Sequence, residues 1–92
     1  MIRTFRDTDT EAIFQERPVR KWNQIANVAF RKLVYLNAAT RLNDLRAPPG
    51  NRLEALKGER KNRYSIRIND QYRICFRWSE GHVYDVEITD YH

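Results

Sequence analysis

Cysteine, glycine and histidine are scarce in this 92-residue chain, which has one cysteine, three glycines and two histidines. A single cysteine cannot form an intramolecular disulfide, and Cys75 lies among apolar residues, where we expect it to pack. No spacing of metal ligands is recognisable among so few thiols and imidazoles. The glycines do not form a phosphate-binding loop either. We therefore expect neither a metal ion nor another cofactor.

Long apolar runs are also absent. The longest, residues 33–36, is far too short to cross a bilayer. Residues 1–6 contain no apolar segment of the kind that directs export, so we expect a cytoplasmic protein that does not engage a membrane. A chain of this length buries one modest core, and we expect residues 1–92 to form a single domain.

Positive charge is abundant. Lysine and arginine number 17 against 12 acidic residues, a net charge of +5, and thirteen of the 17 are arginine. The guanidinium fork binds phosphate through two hydrogen bonds and stacks on bases, which lysine does not do. Residues 46–77 hold nine basic and three acidic residues. A solvated basic surface is one interpretation, and a nucleic acid or an acidic protein partner is the other.

Helical patterning dominates the first half of the chain. We predict a short edge strand at residues 2–5, a helix that follows the capping residues 7–10, and a long helix over residues 20–39. Apolar residues recur at spacings of three and four along the long helix. This stripe comprises Trp22, Ile25, Ala29, Leu33 and Leu36. Residues 40–45 are predicted to add a helical turn, and the segment 47–51 to end regular structure.

Three strands are predicted in the second half, at residues 63–68, 72–78 and 82–91. Apolar and polar residues alternate along the first two, so one face of the sheet should pack on the helices. The opposite face would carry Arg63, Arg67, Arg73 and Arg77. The predicted fold is therefore α+β, with two N-terminal helices on one face of an antiparallel sheet and the order β-α-α-β-β-β.

Groups able to transfer protons accompany these arginines. Metal-free cleavage of RNA needs a base for the 2′-hydroxyl, an acid for the leaving 5′-oxygen and cations for the phosphate. Asp90, Tyr91 and His92 follow the last strand, and with Glu54 and Lys57 they are the candidates for acid and base. Each candidate also has a purely structural interpretation. His92 could be a solvated chain end, Tyr91 an aromatic residue of the strand, and Glu54 and Lys57 a surface ion pair.

Arg73 is the predicted phosphate ligand, because it is central on the face that we expect to be exposed. Arg63, Arg67 and Arg77 share that face and are predicted to contact RNA. Alternatively, Arg73 could pair across the strands with Asp85 or Glu87.

Three segments, residues 52–58, 64–76 and 90–92, closely resemble the HigB toxins of bacterial toxin–antitoxin systems, members of the RelE/ParE superfamily. The stretch 48–54 is similar to the GraT-type branch of that family. The resemblance implies a small RelE-like toxin that cuts mRNA in the ribosomal A site, on the small subunit. It also implies a HigA-type helix-turn-helix antitoxin, through which alone the toxin would contact operator DNA.

By position, the resemblance assigns phosphate binding to Arg73, the catalytic cluster to Asp90, Tyr91 and His92, and a basic active-site residue to Lys57. Some HigB proteins have histidine where Glu54 stands, and a carboxylate cannot be the same cationic acid. The resemblance therefore implies weaker turnover or redistributed proton roles. Two alternatives from other classes remain, a gyrase-inhibiting toxin of the ParE kind and a non-catalytic module that binds RNA or protein.

Overall fold

A computed structural model describes residues 1–58 and 62–90, so Tyr91 and His92 of the predicted cluster lie outside the described residues. Within that part, helices α1 (Thr8–Phe14) and α2 (Ala26–Ala38) precede a four-stranded antiparallel sheet. Its strands, in spatial order, are β1 (Glu54–Ala55), β2 (Arg63–Arg67), β3 (Tyr72–Ser79) and β4 (His82–Asp90). The predicted α+β class, with helices preceding the sheet strands, is confirmed.

The predicted edge strand at residues 2–5 is reduced to two isolated parallel bridges, Ile2 with Val83 and Phe5 with Val86. The segment lies along β4, at an edge of the sheet as predicted. A bulge between the two bridges explains why a regular strand does not form there. Asp85 has a φ of 56°, which bends β4 and shifts its register against β3. The fourth strand of the sheet is instead β1, which the sequence did not predict.

Helix α1 begins at the predicted capping segment. The Asp7 carboxylate accepts a hydrogen bond from the backbone N–H of Thr10 at 2.9 Å, which satisfies one of the free donors of the first turn. Thr10 is fully buried, and its hydroxyl accepts a hydrogen bond from the backbone N–H of Ile88 at 3.0 Å. Helix α1 is thereby attached to β4.

The long helix begins later than predicted, at Ala26 rather than at residue 20. Arg20–Trp22 forms a 3₁₀ turn, and the backbone N–H of Ile25 bonds to the carbonyl of Trp22 at 3.0 Å, three residues back. Such a turn keeps side chains near the same face as an α-helix does. Trp22 and Ile25 are therefore buried as the stripe predicted, although they precede the helix.

The core lies between the apolar face of the sheet and α2. Ala29, Leu33 and Leu36 of the predicted stripe are fully buried. They belong to one cluster with the inward-facing strand residues Ile66, Ile74, Phe76, Val83 and Val86. The other face of the sheet is left to the polar residues.

No helix in the described ranges is long and apolar enough to cross a membrane.

Candidate active site on the polar face of the sheet

The polar face of the sheet carries the four arginines that alternation assigned to it. Pairing between β2 and β3 sets Arg67 opposite Arg73 and Arg63 opposite Arg77. Like charges directly opposite each other repel. Nearby carboxylates relieve that repulsion, because each of these arginines forms an ion pair with an acidic side chain. The four arginines of the polar face are thus paired with acidic side chains and do not form an unpaired basic surface.

Arg73 is on the predicted face but is not exposed. The residue is 9% exposed, so the expectation of a solvent-facing arginine was wrong. Its Nε donates to the Ser65 hydroxyl at 2.8 Å, and its Nη2 donates to the carbonyls of Ser65, at 3.3 Å, and of Arg52. Its Nη1 lies 3.3 Å from Oε1 of Glu54. Its acidic partner is therefore on β1, and not Asp85 or Glu87 as the structural alternative supposed.

A cleft of about 290 Å³ opens beside this guanidinium. Its lining consists of Arg52, Glu54, Arg67, Asn69, Asp70 and Arg73. Arg67 forms an ion pair with Asp70. The side chains of Glu54 and Asp70 are 62% and 99% exposed, whereas that of Arg73 is 11% exposed. The cleft therefore has buried positive charge below and solvated negative charge at its rim. Arg52 was not among the predicted site residues.

A buried asparagine fixes the segment that leads into β1. Asn51 is fully buried, and its amide donates to the carbonyls of Leu45 at 3.2 Å and Ala47 at 3.0 Å. Its carbonyl oxygen accepts a hydrogen bond from the ammonium group of Lys32 on α2. Burial lowers the pKa of Lys32, and the neighbouring charges of Arg31 and Arg67 lower it further. These contacts hold the Arg52 carbonyl in reach of Arg73.

The remaining acid and base candidates are spread along the edge of the site. Lys57 is exposed two residues beyond β1. Asp90 is the last residue of β4, and its carboxylate accepts a hydrogen bond from the Gln71 amide at 3.1 Å. Pairing sets Arg73 opposite Thr89, so Asp90 is one residue beyond that pair. The structure brings Glu54 into direct contact with Arg73, and the joint action of Asp90, Tyr91 and His92 stays a prediction.

A second cleft, of about 340 Å³, lies elsewhere on the polar face. Arg6, Arg63, Glu87 and Thr89 are among the residues that line it. Arg6 pairs with Glu87 at 2.9 Å across the sheet edge. The sequence offered no signal for Arg6, because the contact depends on the N-terminal segment lying along β4. The two clefts extend the arginine-rich surface along the sheet.

Asp85 neutralises the other arginine pair. Its Oδ2 accepts hydrogen bonds from Arg63 at 3.0 Å and from Arg77 at 3.4 Å. The Arg77 guanidinium also stacks over the Tyr84 ring, 4.5 Å from its centroid. Burial opposes ionisation of Asp85, but the hydrogen bonds from Arg63 and Arg77 outweigh it and hold the pKa of Asp85 below its usual value. Arg77 is consequently engaged in fixed contacts, away from the cleft of Arg73.

Replacing Asp85 by asparagine should make the free energy of unfolding less sensitive to a fall in pH. Asparagine also tolerates the left-handed backbone of this position. Since the folded pKa of Asp85 is lowered, its stabilisation is present above the unfolded pKa of about 3.9 and is lost as pH falls through the folded value. We expect Asp85→Asn to unfold more easily at pH 7 by about 1 kcal/mol or less. The difference should shrink as pH falls below about 3.9.

Chemical denaturation of both proteins at neutral and acidic pH measures this difference. Glu80→Gln, at an exposed turn position, is the matched control and should follow the parent at each pH. A gap between Asp85→Asn and the parent that does not change with pH would show that the carboxylate charge is unimportant there.

Among residues 1–58 and 62–90, no group of three or more His, Cys, Asp or Glu side chains is placed to hold a metal ion. The described polar groups instead combine a fixed guanidinium, further arginines and carboxylates that can accept protons. Such an arrangement can bind a phosphodiester and stabilise negative charge that develops on it.

Comparison with known proteins gives a consistent result. The family model of RelE-like HigB toxins of type II toxin–antitoxin systems matches residues 3–92. The chain is similar to Toxin HigB-1 of Vibrio cholerae, with 52% identity over 59 residues, which are 64% of this chain and 62% of that protein. It is also similar to an uncharacterised protein of Haemophilus influenzae, with 39% identity over 61 residues, 66% of this chain and 60% of the relative. The match thus spans less than two thirds of either relative's length. The GraT-type branch stays a prediction.

Proposed function

Because the chain belongs to the HigB family of RelE-like toxins of type II toxin–antitoxin systems, we propose that it inhibits translation by cutting mRNA in the ribosomal A site. The observation that carries this proposal is the guanidinium of Arg73. It is buried, fixed by Ser65 and the Arg52 carbonyl, and borders an arginine-lined cleft. A cation held in place before the reaction stabilises developing charge at no cost in reorganisation.

The reaction needs no metal ion in this proposal. A base takes the proton of the 2′-hydroxyl, and that oxygen attacks the adjacent phosphorus. The bond to the 5′-oxygen breaks as an acid donates a proton to it, which leaves a 2′,3′-cyclic phosphate and a 5′-hydroxyl. Arg73 stabilises the charge on the phosphoryl oxygens. Asp90, Tyr91, His92, Lys57 and Glu54 are the candidates for proton transfer.

RNA contacts outside the reacting phosphate would come from Arg63, Arg67 and Arg77. Since Asp85 or Asp70 already pairs with each of them, we expect their contribution to be diffuse rather than specific. Phosphate contacts of this kind position a nucleic acid and carry no sequence information.

The ribosome would supply what the polar face lacks. The clefts on that face are small, at about 290 and 340 Å³, and open to solvent. Neither could align a flexible strand for in-line attack by itself. Alignment of reacting groups can contribute ~7–11 kcal/mol toward lowering a barrier. We propose that the small subunit presents the mRNA in the required geometry, which places the toxin's action in the cytoplasm.

Purified protein should therefore cut mRNA on translating ribosomes and leave the same mRNA nearly intact when it is free. Gel analysis of a labelled transcript, with and without ribosomes, measures the two rates. The Arg73→Ala variant, which lacks the guanidinium, serves as the inactive control. Cleavage of free and ribosome-bound transcripts at equal rates would refute dependence on the ribosome.

The proposed partner that controls the toxin is a HigA-type helix-turn-helix antitoxin, and operator DNA would be reached only through it. Family membership supports this proposal. Co-expression with the product of the neighbouring gene should relieve growth arrest and yield a complex that can be isolated. Tolerance of strong expression of the folded toxin alone would argue against the need for an antitoxin.

A further inference from the structure

The contacts of Arg73 differ in how firmly they are held. Ser65 is buried in β2. The Arg52 carbonyl directly follows Asn51, which is fully buried and bonded to the segment before it. The fourth contact is different, because Glu54 belongs to a two-residue edge strand and its side chain is 62% exposed. Three contacts with fixed groups thus orient the guanidinium, and one solvated carboxylate covers its outer nitrogen, Nη1.

An ion pair with an exposed partner is weak, since water and salt screen it and the long side chain loses freedom on pairing. A phosphodiester offers a guanidinium the same kind of oxygen acceptors as a carboxylate and carries the same single negative charge. The carboxylate also lies at the rim of the cleft that a phosphate would enter. Displacement of Glu54 by a phosphate would break one weak pair and leave the three inner contacts of Arg73 intact.

We propose that Glu54 occupies the place of the substrate phosphate on Arg73 and leaves it when that phosphate binds. In this proposal Glu54 is a positioning residue that acts through Arg73, which narrows the candidates for proton transfer to Asp90, Tyr91, His92 and Lys57. This inference rests on the proposed function, since the phosphate concerned is the scissile linkage of RNA. The phosphates of free RNA must displace Glu54 from Arg73 at whatever concentration they have in solution. An mRNA held by the ribosome presents its phosphate to Arg73 at a high effective concentration. The contact therefore favours positioned over free RNA.

Inorganic phosphate is the probe for this inference, because it needs no ribosome. The NMR signal of the Arg73 Nε–H reports binding at that side chain during a phosphate titration at constant ionic strength. We expect Glu54→Gln to lower the dissociation constant at Arg73 by about two- to fivefold, the range that a weak exposed ion pair allows. Glu80→Gln removes the same charge from an exposed turn and should leave the constant at the parent value.

Equal dissociation constants for Glu54→Gln and Glu80→Gln would overturn the inference, as would an Arg73 signal that phosphate does not move in any variant. Cleavage on ribosomes gives the second readout. Glu54→Gln should change the cleavage rate by less than about tenfold in either direction, whereas loss of a general acid or base costs roughly 10²–10⁴-fold. A loss of that larger size would assign proton transfer to Glu54. A parent that cuts no mRNA refutes the proposed function and leaves the titration result standing.

Discussion

Arg73→Ala is expected to lower ribosome-dependent cleavage by about 10²–10³-fold, the usual loss when one preorganised donor to a transition-state charge is removed. Arg77→Ala should lower it far less. Both arginines are on the polar face, but Arg77 is bound by Asp85 and stacked on Tyr84, whereas Arg73 borders the cleft. Single-turnover cleavage on stalled ribosomes compares the two variants. Equal losses would favour a diffuse electrostatic role for the whole face.

Stability has to be measured alongside this rate, because Arg73 also has structural contacts. Its removal leaves the Ser65 hydroxyl and the Arg52 carbonyl without their donor. An unsatisfied buried polar group costs about 1–3 kcal/mol. Arg73→Lys keeps the charge and loses the fork, so we expect it to recover part of the stability and little of the activity. Circular dichroism gives the folded fraction to which each rate is referred.

Removal of Tyr91 and His92 should abolish cleavage, with a loss of roughly 10²–10⁴-fold if these residues supply the acid or base. The thermal transition should stay within a few degrees of the parent, since the described core is formed by residues up to Ile88. Changes away from core contacts usually alter stability by about 0.5 kcal/mol or less. The point variants Tyr91→Phe and His92→Gln then separate the two contributions.

Cleavage kinetics and a melting curve for the truncated protein decide between the two roles. A catalytic pair leaves a folded protein that still binds ribosomes and does not cut. A structural pair lowers the melting temperature and leaves normal activity in the folded fraction. Near-parent cleavage by the truncated protein would exclude both residues from the active site.

Periodicity in the sequence predicted the elements that packing determines. The stripe through Ala29, Leu33 and Leu36 and the alternation in β2 and β3 follow from which side chains must be buried. The start of α2 was misplaced, because a 3₁₀ turn continues the apolar spacing ahead of the helix. Strand β1 was missed, because two residues are too few for a pattern and their pairing with β2 is a tertiary contact.

The site was only partly predictable, because it too depends on tertiary contacts. Alternation assigned Arg73 to the polar face, but its burial depends on Glu54 and on the Arg52 carbonyl, which the fold brings from β1 and the residues before it. A backbone carbonyl leaves no signal in a sequence. Arg6 and Glu87 meet only because the N-terminal segment follows β4. Local patterns thus identified the surface, and long-range contacts decided which of its groups are fixed.

Ribosome profiling with mapping of 5′-hydroxyl RNA ends, after brief induction of the parent and of Arg73→Ala, tests the central claim most directly. The parent should produce new mRNA ends in codon register at the A site, and Arg73→Ala should produce few. Intact mRNA together with gyrase-dependent DNA breaks would contradict the claim and favour a ParE-like toxin. Intact mRNA and DNA from a folded, expressed protein would contradict it as well and favour a non-catalytic binding module.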